Sequence, residues 1–281
     1  MKLLRFGEAG QEKPGLHDGQ VIRDLSAVIS DVHPATLGDS ALQKLRDLDP
    51  SSLPEVPGNP RIGPCVAGVG KFICIGLNYK DHADETGAAY PKEPIIFMKA
   101  TSAIQGPHDT LLIPRNSRKT DWEVELGVVI GTAGKYIPVE EALNHVAGYC
   151  TVNDVSEREF QMERGGTWDK GKGCDTFGPI GPYLVTRDEV PDPQNLKLWL
   201  EVDGHRYQEG TTANMIFTVA ELVSYVSQFM SLQPGDIIST GTPAGVGLGQ
   251  KPEPVYLKEG QTLRLAVEGL GEQVQKVAQD A

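Results

Sequence analysis

The run Asp121-Trp122-Glu123-Val124-Glu125-Leu126-Gly127-Val128-Val129-Ile130 decides how the rest of the chain is read. In a strand, residues two apart share a face, so Glu123 and Glu125 project together while Val124, Leu126 and Val128 pack on the other side. Two neighbouring carboxylates are costly in an interior unless a cation neutralises them. Taken alone, such a pair reads as a solvated strand face. A third acid changes that balance. Asp154 ends the apolar run Gly148-Tyr149-Cys150-Thr151-Val152-Asn153 and precedes a polar, helix-like segment. By itself it reads as a helix N-cap. With Glu123 and Glu125, and with no nearby cysteine or spaced histidine ligands, it defines an all-oxygen site suited to Mg2+ or Mn2+ rather than zinc.

Working outward, apolar strand candidates occur at Phe72 to Ile75, Ile95 to Met98, Tyr149 to Asn153 and Ile237 to Thr240. Leu196 to Val202, Asp203-Gly204 and His205 to Gln208 form a hairpin signature, because Asp-Gly supplies the positive φ angles of a two-residue turn. A second hairpin is expected from Thr262 to Val267 through Glu268-Gly269-Leu270-Gly271 to Gln273 to Val277. One stretch, Thr218 to Met230, reads as an amphipathic helix with Val219, Leu222, Val223, Val226 and Phe229 on one face. Strands outnumber helices and do not alternate with them, which excludes a doubly wound fold. The expected class is α+β and β-rich.

The first 65 residues differ in character. They hold short strand-like runs at Lys2 to Phe6 and Val21 to Asp24, then a helix-like stretch near Ala41 to Leu48. The segment Pro50-Ser-Ser-Leu-Pro-Glu-Val-Pro57, with Pro60 and Pro64, reads as an extended linker. The expected organisation is therefore a small N-terminal α/β domain over 1–65 and a catalytic domain over 66–281.

The 281 residues carry 26 Lys+Arg against 38 Asp+Glu, a formal charge of -12, which argues against nucleic-acid or anionic-membrane partners. Hydrophobic residues at 39% and charged residues at 23% suit a soluble globular protein long enough to bury a large core. The four cysteines form no CxxC pair, so reduced thiols are expected. No run approaches the ~18 apolar residues of a membrane span, and no signal-peptide pattern opens the chain, so a cytoplasmic location is expected.

Three further segments carry candidate chemistry. In Gly76-Leu77-Asn78-Tyr79-Lys80-Asp81-His82-Ala83-Asp84-Glu85-Thr86-Gly87, a helical turn sets His82 and Glu85 three residues apart on one face. A carboxylate there orients the imidazole and raises its basicity, so the pair can deprotonate water. The flanking glycines suit a movable lid. Lys172 sits in an expected Gly-rich loop, Asp169-Lys170-Gly171-Lys172-Gly173, from which an ammonium can approach a developing oxyanion. The run Thr240-Gly241-Thr242-Pro243-Ala244-Gly245-Val246-Gly247-Leu248-Gly249 lacks the lysine of a phosphate loop. Its amides and the Thr242 hydroxyl can instead hold a small carboxylate.

Together these pieces resemble the fumarylacetoacetate hydrolase family, particularly its small bacterial members. The matching motifs are Ile75-Gly-Leu-Asn-Tyr-Lys-Asp-His82, Asp121-Trp-Glu-Val-Glu-Leu126, Asn153-Asp-Val-Ser156, Gly171-Lys-Gly-Cys-Asp-Thr176, Pro234-Gly-Asp-Ile-Ile238 and Thr240-Gly-Thr-Pro243, in family order over about residues 70–278. The resemblance implies a mixed β-roll, a homodimer, and Mg2+ or Mn2+ held by Glu123, Glu125 and Asp154. It implies His82 and Glu85 as the water-activating lid dyad, Lys172 as the active-site lysine, and Arg158, Gln161 and Thr242 as contacts to a small oxoacid substrate.

The activity expected on that basis is hydrolysis of the C–C bond of a 2,4-dioxoacid, an acylpyruvate or a 2,4-dioxo-3-deoxy sugar acid, to pyruvate and a second acid. Oxaloacetate decarboxylation, ureidoglycolate lyase activity and a hydratase or isomerase of aromatic degradation are the competing activities. A metal-binding scaffold is the non-enzymatic alternative, against which His82, Glu85 and Lys172 speak.

Overall fold

Val124–Ile130 forms a strand whose seven residues are all buried, and it lies inside a nine-stranded sheet. In the computed structural model, which describes residues 1–280, that sheet runs in the order Ile22–Asp24, Lys13–His17, Lys2–Phe6, Leu184–Thr186, Val146–Asn153, Val124–Ile130, Ile237–Ser239, Phe72–Gly76 and Ile95–Lys99. Its ladders are antiparallel except where Ile237–Ser239 runs parallel to Phe72–Gly76. A second sheet of five strands orders His205–Thr211, Lys197–Val202, Thr262–Val267, Glu272–Gln279 and Leu111–Ile113, the last pair being parallel. The fold is a β-rich, mixed α+β roll.

Alternation along the central strand divides the interior. Leu126, Val128 and Ile130 pack with Leu198, Leu200, Leu263 and Leu265, so one apolar cluster fills the space between the sheets. Each such side chain contributes about 1.5–3 kcal/mol when removed from water. On the opposite face, Val129, Cys150, Val152 and Ile237 pack with Leu25, Val32, Leu37, Leu42 and Leu45 from the first 65 residues. Glu125 and Val129, four apart in the strand, share this second face. The acids therefore occupy one end of a surface whose other end is covered by the N-terminal segment.

The Lys2–Phe6 strand pairs with Leu184–Thr186, which carries the N-terminal strands into the main sheet. The division proposed at residue 65 thus runs through one continuous sheet and a shared apolar interior. The proline-rich segment is not a free linker: Ile62 bridges to Phe6, Glu55 bridges to Arg23, and Gly63 N donates to Arg5 O at 2.8 Å. Proline removes donors without preventing these isolated bridges.

Both hairpins form. Asp203 and Gly204 have φ of 50° and 80°, the left-handed pair that the Asp-Gly turn requires. The helix Val219–Phe229 starts at a capping box between Thr218 and Glu221 and buries Val219, Leu222, Val223 and Val226. Phe229, expected on that apolar face, is instead 61% exposed, because it is the last helical residue and packs edge-on against Tyr225. No helix among the described residues is long and apolar enough to cross a membrane.

Candidate active site

Glu123 precedes the central strand by one residue, Glu125 lies within it, and the next strand, Val146–Asn153, delivers Asp154 directly opposite. The register pairs Asn153 with Val124, and Asp154 N donates to Glu123 O at 2.9 Å. One carboxylate oxygen from each of the three acids lies within 4.8 Å of the other two, and all three residues are buried. The N-cap of the following helix, Arg158–Met162, is Glu157, so Asp154 is free of that role.

Three cations surround the acids. Lys172 Nζ lies 2.8 Å from both Glu123 Oε2 and Asp154 Oδ2. Lys99 Nζ donates to Asp154 Oδ1 at 2.5 Å and to Val155 O at 3.0 Å. Arg158 bridges Glu123 Oε1 at 2.7 Å and Asp121 Oδ2 at 2.8 Å, and its Nη1 donates to Gln161 Oε1 at 3.1 Å. Lys172 does not sit in a loop; it ends the short helix Asp169–Lys172, which packs directly on Arg158–Met162. Gly171 permits that approach, because a Cβ there would lie 2.7 Å from Gln161 N and closer still to Glu157 O. The two short helices thus swing an ammonium and a guanidinium onto the same carboxylates.

Burial alone would raise the Glu123 carboxyl, but Lys172 and Arg158 bring it down to about 2. Glu125 behaves oppositely. Burial, then repulsion from Asp154 and Glu123, pushes its carboxyl well above the usual range. Its Oε2 accepts hydrogen bonds from Ser239 Oγ at 2.5 Å and Gly241 N at 2.8 Å. Burial would lower the Lys172 ammonium, but Asp154 and Glu123 hold it above the ordinary lysine value. A buried carboxyl raised by neighbouring negative charge marks a place where added positive charge is favoured, and the all-oxygen donor set fits a hard divalent cation.

His82 and Glu85 lie in the helix Lys80–Thr86, with His82 Nδ1 3.3 Å from Glu85 Oε2. Glu85 Oε1 in turn accepts from Gly245 N at 3.0 Å, tying the helix to the glycine-rich loop. Gly87, at φ 68°, terminates the helix as expected of a C-terminal glycine. Gly76 is no loop hinge: it closes the strand Phe72–Gly76, with the Trp168 ring packed against it.

His82, Glu123, Glu125, Arg158, Gln161, Lys172 and Thr242 line one cavity of about 240 Å³. Asp154 and Glu85 stand one bond behind, on Lys172 and His82. All nine residues singled out in the sequence therefore converge. The Thr242 hydroxyl, however, donates to Val124 O and accepts from Gln208 Nε2, at 2.8 and 2.7 Å. Two residues escaped the sequence reading. Lys99 looks like any lysine at the end of an apolar strand, yet it is 2% exposed. Asp121 joins Arg158 to the loop amides of Gly247 and Leu248, at 2.6 and 2.9 Å. Its position two residues before Glu123 was the available signal.

A mixed β-roll that gathers four acids and three cations beside a histidine–glutamate pair on one small cavity is the framework of an enzyme acting on a small molecule. The profile described as Fumarylacetoacetate (FAA) hydrolase C-terminal matches residues 71–278. A Burkholderia ambifaria protein provisionally named a hydrolase is 66% identical over 276 residues, 98% of each chain. Among solved structures, the fumarylacetoacetate hydrolase of Exiguobacterium antarcticum superposes with a TM-score of 0.88 at 34% identity, covering 100% of both chains. The maleylpyruvate hydrolase of Sphingobium sp. SYK-6 gives 0.83 at 28% identity over 100% of both, and the 2-hydroxyhepta-2,4-diene-1,7-dioate isomerase of Mycobacterium marinum gives 0.75 at 30%, over 100% of this chain and 99% of that one. The chain belongs to the fumarylacetoacetate hydrolase family, which includes both hydrolases and isomerases.

Proposed function

We propose that this protein hydrolyses the C3–C4 bond of a 2,4-dioxoacid, releasing pyruvate and a second carboxylic acid. The observation that carries the reading is the His82–Glu85 pair on the same small cavity as the acid–cation cluster. Isomerisation or decarboxylation needs no attacking water, whereas hydrolysis needs a base to make one nucleophilic.

Glu123, Glu125 and Asp154 would hold Mg2+ or Mn2+, which when bound supplies Lewis-acid polarisation of the 2-oxo group. His82 takes a proton from water as its oxygen attacks C4, and Glu85 orients the ring. Gly245 N–H fixes the outer Glu85 oxygen, so the dyad is held against the loop rather than swinging in solvent. The C3–C4 bond then breaks with its electron pair passing to C3 and the 2-oxo oxygen. C3 gains one proton to become the pyruvate methyl, and C4 leaves as the second carboxylate. Lys172 and Arg158, beside the acids, neutralise charge on the pyruvate half and orient its carboxylate through Gln161 and the Thr242 side of the cavity.

The test is pyruvate release from a panel of 2,4-dioxoacids in water enriched in heavy oxygen. Label in the second acid is the expected result. Isomerised or decarboxylated product without label would replace hydrolysis by one of those reactions.

A further inference from the structure

Between Asp121 and Glu123 stands Trp122, the largest fully buried side chain among the described residues. Its ring belongs to the apolar cluster between the sheets, yet Trp122 Nε1 also donates to Gly245 O at 3.1 Å. Gly245 N donates in turn to Glu85 Oε1 at 3.0 Å, and Glu85 Oε2 lies 3.3 Å from His82 Nδ1. A single glycine therefore links the residue next to Glu123 with the carboxylate that orients the histidine. Farther along the same loop, the amides of Gly247 and Leu248 are held by Asp121. Residue 245 itself depends on Trp122.

Gly245 is confined on its other side. Its φ is 105°, and a Cβ there would lie 1.9 Å from Tyr207 O, so the loop passes this point only as glycine. Tyr207 comes that close where the ladder between Lys197–Val202 and His205–Thr211 shifts register, a bulge that turns the strand. The Tyr207 ring packs on the Trp122 ring with centroids 4.7 Å apart. Turning the indole away would leave its buried N–H and the buried Gly245 carbonyl without their partners. Resting on the hydrolytic reading above, we infer that Trp122 is a positioning residue for the His82–Glu85 base. Its N–H holds Gly245, Gly245 holds Glu85, and Glu85 aims the imidazole. Trp122 does not line the cavity, so it acts through Glu85 and not on substrate. Because Trp122 and Glu123 are adjacent in the chain, the base is kept in register with the acids.

The test removes the N–H and keeps the ring. Two forms of the full, Mg2+-loaded chain are compared with wild type: Trp122→Phe, and a site-specific replacement of Trp122 by benzothienylalanine, which retains the fused-ring volume with sulfur in place of N–H. Both are expected to lower kcat for dioxoacid hydrolysis by about tenfold or more, while KM and calorimetric oxamate affinity stay within about twofold. Amide hydrogen exchange in Lys80–Thr86 and at Gly245 should quicken by about tenfold or more, with Val124–Ile130 unchanged. Wild-type kcat in the benzothienyl form, or KM and oxamate affinity lost in step with kcat, overturns the inference. Should the wild-type chain release pyruvate from no dioxoacid, the hydrolytic reading falls, and exchange alone then decides the tether: quickened exchange in the helix upholds it, and unchanged exchange removes it.

Discussion

Glu85 and Gly245 are joined by a 3.0 Å hydrogen bond from the loop amide to the carboxylate, so the histidine-bearing helix is fastened to the glycine-rich loop through the residue that orients the histidine. The same loop is fastened to Arg158 through Asp121. One loop therefore sets the distance between the proposed base and the acid–cation cluster.

Gly249 tests that arrangement. A Cβ at this position would overlap the Glu85 carboxylate, whose Oε1 lies 2.6 Å from the ideal Cβ site. Gly249→Ala should push Glu85 away from His82 and lower hydrolysis by about tenfold or more while calorimetric Mg2+ binding stays unchanged. Wild-type turnover in this variant would separate the loop from the base.

His82→Ala should depress dioxoacid hydrolysis by roughly 10²- to 10⁴-fold, the range of general-base catalysis. Oxaloacetate decarboxylation on the same metal-loaded preparation should fall much less, since its bond breaks without water attack. Equal losses in the two rates would make His82 a substrate-positioning group.

Lys99→Met leaves Asp154 short of one of two buried partners, the Lys99 pair being fully shielded from water and the Lys172 pair nearly so. Removing one member of such a pair costs about 3–5 kcal/mol. The denaturant midpoint of the metal-free protein should fall accordingly, read by urea unfolding. A midpoint within error of wild type would show that the Lys99 contact contributes nothing net.

Metal binding should depend on pH with a definite sign. Burial, then Asp154 and Glu123, raise the Glu125 carboxyl, so the metal-free protein holds a proton there that a bound cation must displace. Apparent Mg2+ affinity should rise with pH until Glu125 is ionised without metal, then level off. Calorimetry in buffers of different ionisation enthalpy should register proton release on the acidic side. Identical heats in all buffers would contradict the assignment, as would unchanged affinity in Glu123→Gln.

Local sequence carried much of this architecture. Val124–Ile130, the Asp203-Gly204 hairpin and the helix after Thr218 were legible because alternation, a positive-φ dipeptide and an apolar stripe of helical period act within a few residues. The strand Lys13–His17 was not, since Pro14 and Gly15 argue against a strand and only its ladders to Lys2–Phe6 and Ile22–Asp24 make it one. Phe229 failed for a related reason: periodicity predicts a face, but not where the core behind that face ends.

The sequence by itself determined that Glu123 and Glu125 share a strand face and that Asp154 follows another apolar strand, while the pairing of those two strands, which brings the three acids together, belongs to the tertiary structure. It determined the His82–Glu85 pairing in the same way, through the three-residue spacing of one helical turn. Tertiary structure alone decided which cations answer those acids. Lys99 lies 55 positions from Asp154, and Arg158 reaches Asp121 across 37. Nothing in local spacing encodes such distances; they arise because buried charge is tolerated only where separate elements close on it together, and that closure is a property of the packed sheet and its two short helices.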